Sequence, residues 1–416
     1  MKNLGTISIS LSPNVEKDDM RLVFNLFKKP LSWKNGDTAE DLENEFKKYL
    51  GVKNVFSFNS GRSSFLAILK CLNLEQESEV LIQSFTCNAA INPIIWAGFK
   101  PIYVDVDEND FNIDINDLNA KITSKTRAIV VQHTFGIPAK IEEVLKICSE
   151  KNLILIEDCA HCLGAEFNGK KLGTFGKAAF FSFSRDKVIS SVYGGIAVTN
   201  DEILAENLKK YHESLDFPSN FWIFQQLIHP LVLNYLILPL YDFLNLGKFL
   251  LIIFQNLNIL SKAVHWKEKI GQMPSYFPRK FPNALAVLAL SQFKKLEKFN
   301  KHREKIAEIY FQKLKNSGFI LTQKKSGQIF LRFVLKHSNA HKIIKSAWSQ
   351  NILLGDWYTS PIAPDDTKPE KLCYPENNCK TAEKLSKITF NLPTHININE
   401  ESAKFIVQFI KKYDAN

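Results

Sequence analysis

The first half of the chain alternates short, continuously apolar segments with amphipathic ones. The apolar segments predict strands over 55–58, 80–83, 101–104, 128–132, 153–158 and 180–183. The segments between them predict helices over 39–50, 63–72, 91–97 and 141–150. Thr38 is the predicted N-cap of the first of these helices, and Gly51 and Gly98 are expected to end two of them. Strands that are apolar at every position are buried on both faces, which is typical of a mainly parallel sheet covered by helices.

The second half of the chain has a different pattern. A strongly apolar region at 223–260 precedes a long amphipathic helix predicted over 284–314, and a strand is predicted at 329–335. Further helices are predicted at 340–350 and 400–413. We interpret the chain as a large domain over 1–222, an apolar helical insertion over 223–272 and a smaller α/β C-terminal domain over 273–416.

The apolar region raises the question of a membrane. Its pieces at 231–240 and 249–254 are each shorter than the about 20 residues that span a bilayer, and Pro239 and Asp242 interrupt the run. A spanning segment is therefore not expected. Burial within the fold or against a partner subunit is the favoured interpretation of 223–260, and a surface that rests on the membrane interface is the alternative.

Two strands of the predicted sheet are each followed by a reactive side chain. Asp158 ends the segment at 153–158, and Lys187 follows the segment at 180–183 after a short polar turn. Ligands of open parallel sheets bind beyond the carboxyl ends of the strands, so both side chains are expected to reach one pocket. In pyridoxal 5′-phosphate (PLP) chemistry, a lysine holds the aldehyde and a carboxylate keeps the pyridine nitrogen protonated. A buried ion pair without a chemical role would use the same residue types. The surrounding residues are therefore needed to distinguish a cofactor site from such a pair.

Four short motifs surround this pair. They read Glu157-Asp158-Cys159-Ala160-His161, Gly173-Thr174-Phe175-Gly176, Ser182-Phe183-Ser184-Arg185-Asp186-Lys187 and Gly194-Gly195-Ile196-Ala197-Val198-Thr199-Asn200. In order and spacing they resemble the DegT/DnrJ/StrS family of PLP-dependent sugar aminotransferases. The resemblance extends to 59–64, 101–107, 286–310 and 392–395, and only about 214–273 lies outside it.

The resemblance implies a fold type I PLP-transferase with a mainly parallel, seven-stranded sheet. It implies that Lys187 holds PLP as a Schiff base and that Asp158 faces the pyridine nitrogen. The other cofactor-binding positions that it implies are Arg62, Ser63, Cys87, His161, Ser182 and Arg279. The implied reaction is a ping-pong transfer of an amino group from glutamate to a nucleotide-linked keto-sugar, in a homodimer whose active sites are shared between subunits. Lys187 argues against the related dehydratase branch, in which a histidine replaces the lysine.

Two positions depart from the family pattern. Cys87 stands where the family usually has an aromatic residue over the pyridine ring. The segment 276–280 lacks the asparagine that in the family reaches the phosphate of the partner subunit, and Arg279 or Lys280 is expected to replace it. A PLP enzyme with a non-sugar substrate and a catalytically silent regulatory relative therefore stay as alternatives.

Charge and cysteine content limit the kinds of partner and the cellular compartment that we expect for this protein. The formal net charge is +10, but the lysines are spread along the chain and no nucleic-acid motif accompanies them, so a nucleic-acid partner is not expected. The charge suits a solvated surface and attraction of a phosphorylated substrate. Seven cysteines and no apolar leader at 1–15 predict a cytoplasmic protein with reduced thiols, or one associated with the membrane surface. The C-x-x-C of Cys159 and Cys162 lies within the Asp158 motif, so neither a metal nor a redox site is expected there.

Overall fold

The computed structural model describes residues 5–241 and 243–414. Its strands are β1 Ile7–Ser8, β2 Asn54–Phe58, β3 Glu79–Gln83, β4 Thr86–Cys87, β5 Lys100–Val104, β6 Thr126–Gln132, β7 Ile154–Asp158, β8 Glu166–Phe167, β9 Lys170–Lys171, β10 Ala178–Ser182, β11 Gly195–Thr199, β12 Ile320–Leu321, β13 Arg332–Lys336, β14 Ile352–Leu353, β15 Ile362–Ala363 and β16 Thr389–Pro393. Its α-helices are α1 Lys17–Phe27, α2 Thr38–Leu50, α3 Gly61–Cys71, α4 Asn88–Ala97, α5 Ile115–Lys121, α6 Ile141–Lys151, α7 Glu202–Ser214, α8 Asn220–Val232, α9 Leu238–Tyr241, α10 Leu246–Asn256, α11 Asn283–Phe293, α12 Leu296–Leu314, α13 Ala340–Trp348, α14 Lys380–Ile388 and α15 Glu400–Ile410. Short 3₁₀ turns cover Pro30–Ser32, Thr134–Gly136, Trp266–Ile270, Pro369–Leu372 and Lys411–Tyr413.

A seven-stranded sheet forms the centre of the fold, in the order β2-β11-β10-β7-β6-β3-β5. Only β11 runs against its neighbours, so the other six strands end at one edge. Alternate side chains enter opposite layers: Val80 and Val130 pack with α3 and α4, whereas Leu81 and Ile129 pack with α6. The predicted α/β fold with a mainly parallel sheet is confirmed.

Helix ends follow the predicted glycines where those glycines adopt the left-handed conformation. Gly51 (φ 69°) ends α2, and Gly98 (φ 89°) ends α4. The predicted single helix over 284–314 is wrong, because Lys294 and Lys295 separate α11 from α12. The two helices pack on different partners: α11 lies against α2 beside the large sheet, and α12 lies against α15. One straight helix could not serve both layers.

The C-terminal part has its own core around the antiparallel sheet β12-β13-β16. Helices α12, α13 and α15 pack there, and the short β1 pairs with β14 in parallel. A second parallel pair, β4 with β15, places Cys87 opposite Ala363. This pair brings residues from the C-terminal part over the carboxyl edge of the large sheet. Residues of the C-terminal part therefore cover one side of the carboxyl edge of the large sheet.

The apolar region forms a helical hairpin. Helix α8, a π-helical segment at Leu233–Ile237 and α9 run on as one helix over Asn220–Tyr241, and α10 packs back onto it. Gly247 permits the close approach, because a Cβ there would lie 2.1 Å from the carbonyl oxygen of Ile237. The boundaries of the predicted insertion, 223–272, stay a prediction.

The expectation that Pro239 interrupts the apolar run is wrong. Pro239 lies inside the helical run, because the π-helical segment before it shifts the backbone hydrogen bonding, and Asp242 lies outside the described residues. Within the described ranges this is one helix of 22 residues that is long and apolar enough to cross a membrane, and half of its most apolar window is buried in the fold. A helix in the core of a fold can have the same length and apolar composition. The exposed apolar side chains of the hairpin are Phe221, Tyr235, Phe243, Leu244, Leu246, Phe249, Ile252 and Leu257.

Candidate active site

A cleft lies at the carboxyl edge of the large sheet, where β6, β7 and β10 end. Its empty volume is about 1000 Å³, counted to its mouth. Asp158 at the end of β7 and Lys187 in the loop after β10 both line it, as predicted from the strand ends. Segments 263–264 and 356–365 form the opposite wall. The topology thus brings a carboxylate and an amine from separate strands into one cavity.

Asp158 is almost fully buried in the floor of the cleft, with 3% of its surface exposed. Its Oδ1 accepts a hydrogen bond from the backbone N–H of Ala160 at 2.9 Å. Burial raises the pKa of Asp158 to about 6, although that hydrogen bond and the charge of Lys187 lower it. One backbone donor does not fully stabilise the ionised form of a buried carboxylate. A cationic ring nitrogen would offset the cost of its ionisation.

Lys187 is held by its backbone and covered by an aromatic ring. Its carbonyl oxygen accepts a hydrogen bond from Asn14 Nδ2 at 2.6 Å, and its Nζ lies 4.4 Å from the centroid of the Trp357 ring. Burial lowers the pKa of Lys187, while Asp186, Cys87 and Asp158 raise it in part. A lysine with a lowered pKa offers more neutral amine at physiological pH, and the neutral amine is the nucleophile and base.

An aromatic stack forms a side wall of the cleft. The His161 ring lies 4.9 Å from the Trp357 ring at an interplanar angle of 15°. His161 Nδ1 accepts the N–H of Phe135 at 3.3 Å, which assigns the ring proton to Nε2, 3.4 Å from the hydroxyl of Tyr358. Burial keeps the pKa of His161 well below its usual range, so the ring is neutral. The position of His161 in the cleft agrees with the prediction.

Trp357 and Tyr358 were not identified from the sequence. Trp357 also contacts the guanidinium of Arg332, whose central carbon lies 3.3 Å from the ring centroid. Arg332 in turn pairs with Asp186 at 3.0 Å, next to Lys187 in the chain. The only local signal is two adjacent aromatic residues, and such pairs are common in cores. Their place beside Lys187 depends on how the C-terminal part docks on the sheet.

The N-terminus of α3 faces the end of the cleft nearest Ser182. Ser60 Oγ caps the helix by accepting the N–H of Ser63 at 3.0 Å, and helix geometry leaves the N–H groups of Gly61 and Arg62 without intrahelical acceptors. A Cβ on Gly61 would lie 2.8 Å from Ser182 Cβ, so only glycine permits this approach. Free N–H groups and the helix dipole suit a phosphate.

Arg62 lines the cleft, but its charge is already paired. Its guanidinium forms a buried ion pair with Glu268 and donates a hydrogen bond to the carbonyl oxygen of Ala263 at 3.1 Å. Burial alone would lower the pKa of Arg62, but the carboxylate of Glu268 raises it above its usual value. Glu268 carries no sequence signal, since it lies 206 positions further along the chain. Arg62 therefore fixes the segment around Glu268 to the helix start.

Two predicted positions do not line the cleft. The Ser63 hydroxyl points into the fold, where it donates to Asn59 Oδ1 at 2.7 Å. The Arg279 guanidinium donates to the carbonyl oxygens of Ser275 and Pro278, at 3.3 and 3.5 Å, and is half-buried on the same loop. The structure thus brings six of the eight predicted residues together: Arg62, Cys87, Asp158, His161, Ser182 and Lys187.

Cys87 stands in the cleft wall as the N-cap of α4. Its Sγ accepts the N–H of Ala89 at 3.5 Å. Burial raises the pKa of this thiol, while that hydrogen bond and the charges of Lys187 and Arg62 lower it in part. Cys87 is therefore a neutral side chain at pH 7. An aromatic side chain, Trp357, lines the same cleft.

Cys159 and Cys162 lie behind Asp158 with His133, and the ligand atoms of the three lie within 4.8 Å of one another. The His133 ring is already engaged: Nδ1 accepts the N–H of Ala139 at 3.1 Å, and Nε2 lies 3.3 Å from Glu157 Oε2. Burial raises the pKa of both thiols. Neutral thiols and a fully used imidazole form a packed support for the Asp158 strand end.

The residues of the cleft fit PLP. An amine and a carboxylate face one cavity, and the open helix end with Ser182 offers a place for the phosphate. The absent Cβ of Gly61 lets Ser182 approach the start of the helix closely. These are the three features that this cofactor requires of a protein: a place for its aldehyde, its ring nitrogen and its phosphate.

Comparisons with known proteins agree with this geometry. The sequence pattern of the DegT/DnrJ/EryC1/StrS aminotransferase family matches residues 14–215 and 254–411. The chain is 23% identical over 397 residues to the GDP-perosamine synthase of Vibrio cholerae, with 91% of each chain covered. It is 37% identical over 174 residues to a dTDP-3-amino-3,6-dideoxy-alpha-D-galactopyranose transaminase of Aneurinibacillus thermoaerophilus, which covers 42% of this chain and 48% of that protein.

Solved structures show the same fold. Helicobacter pylori PseC, an aminotransferase involved in the biosynthesis of pseudoaminic acid, superimposes with a TM-score of 0.76 at 23% identity, covering 99% of each chain. The Escherichia coli GDP-4-keto-6-deoxy-D-mannose-3-dehydratase with bound hydrated PLP superimposes with a TM-score of 0.74 at 21% identity, covering 98% of this chain and all of that one. The match extends over nearly the whole chain, hairpin included.

Proposed function

This chain belongs to the DegT/DnrJ/EryC1/StrS aminotransferase family and is a PLP-dependent aminotransferase, and from that premise we propose its reaction. We propose that it transfers an amino group from glutamate to a nucleotide-linked keto-sugar, in two half-reactions that use one site in turn. The observation that carries the proposal is the placement of Lys187 and Asp158 in one cleft, with the open end of α3 beside them. The nucleotide-sugar names of several relatives support the choice of acceptor.

Each residue then has a defined task. PLP, when bound, supplies an aldehyde that exchanges with amino groups and a ring that accepts electrons. Lys187 Nζ would hold the aldehyde, and as a free amine it would accept the proton from the donor's Cα. Its lowered pKa favours this role, because the neutral form is available to act as the base. The charge of Asp158 would hold a proton on the ring nitrogen of the cofactor.

Other side chains position and shield these groups. Trp357 covers Lys187 Nζ and limits the access of water to it. His161 lies beside Trp357 as a neutral ring, fixed at both nitrogens. The N–H groups at the start of α3 and the hydroxyl of Ser182 are the donors that would hold the phosphate.

The lysine assignment is tested by trapping. Borohydride reduction of the PLP-loaded protein should fix the cofactor's mass on the peptide that contains Lys187. Lys262→Ala is the matched control, because Lys262 is an exposed lysine next to the cleft residue Ala263, and this variant should keep the label. Label on another peptide, or its survival in Lys187→Ala, would overturn the assignment.

The substrates are tested by turnover. Glutamate alone should convert the yellow protein to its amino form, and addition of nucleotide keto-sugars should return the yellow form and yield an amino-sugar detectable by mass spectrometry. If glutamate converts the protein but no keto-sugar gives a product, the aminotransferase assignment stands and the keto-sugar acceptor is wrong.

We also propose that the protein is a cytoplasmic homodimer with active sites built from both chains. The Arg279 guanidinium does not line the cleft of its own chain, and exposed apolar side chains of the hairpin, such as Phe249 and Ile252, offer a surface for a second copy. All seven cysteines are unpaired, which fits a reducing compartment. Mixing inactive Lys187→Ala and Arg279→Ala chains should restore activity in hybrid dimers. A monomer by sedimentation at micromolar concentration would rule out the shared site.

A further inference from the structure

A second cavity adjoins the cleft on the side of the helical hairpin. Its empty volume is about 620 Å³, counted to its mouth, and it shares Ser184, Asp186 and Ala263 with the wall of the cleft. Arg185 and His229 line it and are both buried, with 8% and 2% of their surfaces exposed. The remaining lining is mixed: it combines apolar side chains with polar ones, among them Ser10, Gln255 and the carboxylate of Asp186. The cavity is therefore a side chamber of the cleft with two nitrogen-bearing side chains in its wall.

Arg185 carries a buried positive charge that no protein acid neutralises directly. No described carboxylate lies within 4.0 Å of its guanidinium, because the neighbouring Asp186 pairs with Arg332. One end of the group is fixed, since Nη2 donates to Ser261 Oγ at 2.6 Å and that hydroxyl donates to Gln226 Oε1 at 2.7 Å. Its Nε has no protein acceptor. A buried cation of this kind is costly unless an anion accompanies it.

His229 lies on α8 and lines the same chamber. Neither of its ring nitrogens has a hydrogen-bond partner in the protein, although the ring is almost fully buried. A buried imidazole with both nitrogens free is unusual, because each unmade hydrogen bond costs stability. Burial and the charge of Arg185 keep its pKa well below the usual range, so the neutral ring has one N–H to donate.

We propose that the chamber binds a phosphoryl group of the acceptor substrate through Arg185 and His229. A phosphoryl group has acceptor oxygens pointing in several directions, which suits donors that come from two separate elements, and it brings the negative charge that Arg185 lacks. The shared wall places such a group next to the reacting end of the cleft. The inference rests on the proposed function and names the group by which a nucleotide-linked sugar would be held.

One wall of the subsite comes from a part of the chain that the family pattern does not include. That pattern stops at 215 and resumes at 254, whereas His229 and Leu251 lie between these limits. Ser261 and Gln226 connect the hairpin to Arg185, so the hairpin both forms the wall and orients the guanidinium. The apolar insertion therefore has a role in substrate binding in addition to its packing.

Calorimetric titration of the full, PLP-loaded protein tests the proposal without turnover. The probes are UDP, GDP and dTDP, the three nucleosides without phosphate, and inorganic phosphate. At least one nucleoside diphosphate should bind at least about tenfold more tightly than its nucleoside, and Arg185→Met should remove that difference, as expected for loss of a charge-assisted hydrogen bond. His229→Phe, which keeps the ring and removes both nitrogens, should weaken binding about two- to tenfold.

Arg21→Met is the matched control, because Arg21 is an exposed arginine on α1, and this variant should bind like the wild type. Unchanged diphosphate binding in both Arg185→Met and His229→Phe would overturn the subsite, as would a wild type that binds no nucleoside diphosphate. If inorganic phosphate binds as tightly as the nucleoside diphosphate, the chamber takes free phosphate and its assignment to the substrate is wrong. Conversion of the same preparation by glutamate is measured separately, so failure of the subsite and failure of the proposed function are distinguishable.

Discussion

The burial of Asp158 makes the stability of the cofactor-free protein depend on pH in a specific direction. The pKa of this carboxyl is about 6 in the folded chain, against an ordinary value of 3.8. Between these two values the unfolded chain has lost the proton and the folded chain still binds it. Stability therefore falls as the pH rises from about 4 to about 6, and the loss persists above pH 6.

The size of the effect follows from the shift. A difference of about two pH units corresponds to about 3 kcal/mol, at about 1.4 kcal/mol per unit. Buried histidines such as His161 and His395 act in the opposite direction, because their pKa values are lowered in the fold. Asp158→Asn removes the contribution of this carboxylate to the pH dependence of stability and leaves that of the histidines. The difference between the wild type and Asp158→Asn isolates it.

The assay is urea unfolding of cofactor-free protein at pH 4 to 7.5, for wild type and Asp158→Asn. The wild type should lose about 3 kcal/mol relative to the variant across this range. Asp41→Asn, which changes an exposed carboxylate on α2, is the matched control and should follow the wild type. At pH 7, added PLP should raise the free energy of unfolding of the wild type more than that of Asp158→Asn. Parallel pH profiles for wild type and Asp158→Asn would refute the reasoning.

Two further predictions concern neighbours of the site. Glu268→Gln leaves the buried charge of Arg62 unpaired and should cost about 3–5 kcal/mol by urea unfolding, whereas Glu202→Gln, in the exposed pair with Lys53, should not move the midpoint measurably. A cost below about 1 kcal/mol for Glu268→Gln would mean that the pair is not desolvated. Trp357→Ala should admit water to Lys187, raise its lowered pKa and shift the pH profile of the glutamate half-reaction to higher pH, while Trp357→Phe keeps the profile. An unshifted profile in Trp357→Ala would show that the ring does not shield the amine.

Local patterns in the sequence were sufficient to predict the large sheet and the central pair of the site. Continuous apolar segments encode strands buried on both faces, and parallel strands end at one edge. The sequence alone could therefore place Asp158 and Lys187 in one pocket. The glycine ends of α2 and α4 were predictable for the same reason: the signal and its consequence lie within one helical turn.

The tertiary structure alone decided the contacts between distant parts of the chain. The pairing of Arg62 with Glu268, the ring of Trp357 over Lys187 and the break between α11 and α12 each depend on how separately encoded layers dock. Periodicity reports whether a position is buried but not which residue buries it. The sequence by itself therefore determined the sheet, the strand ends and the meeting of Asp158 and Lys187 in one cleft. Docking of the C-terminal part and the hairpin decided what surrounds that pair, because those contacts join residues that share no local pattern.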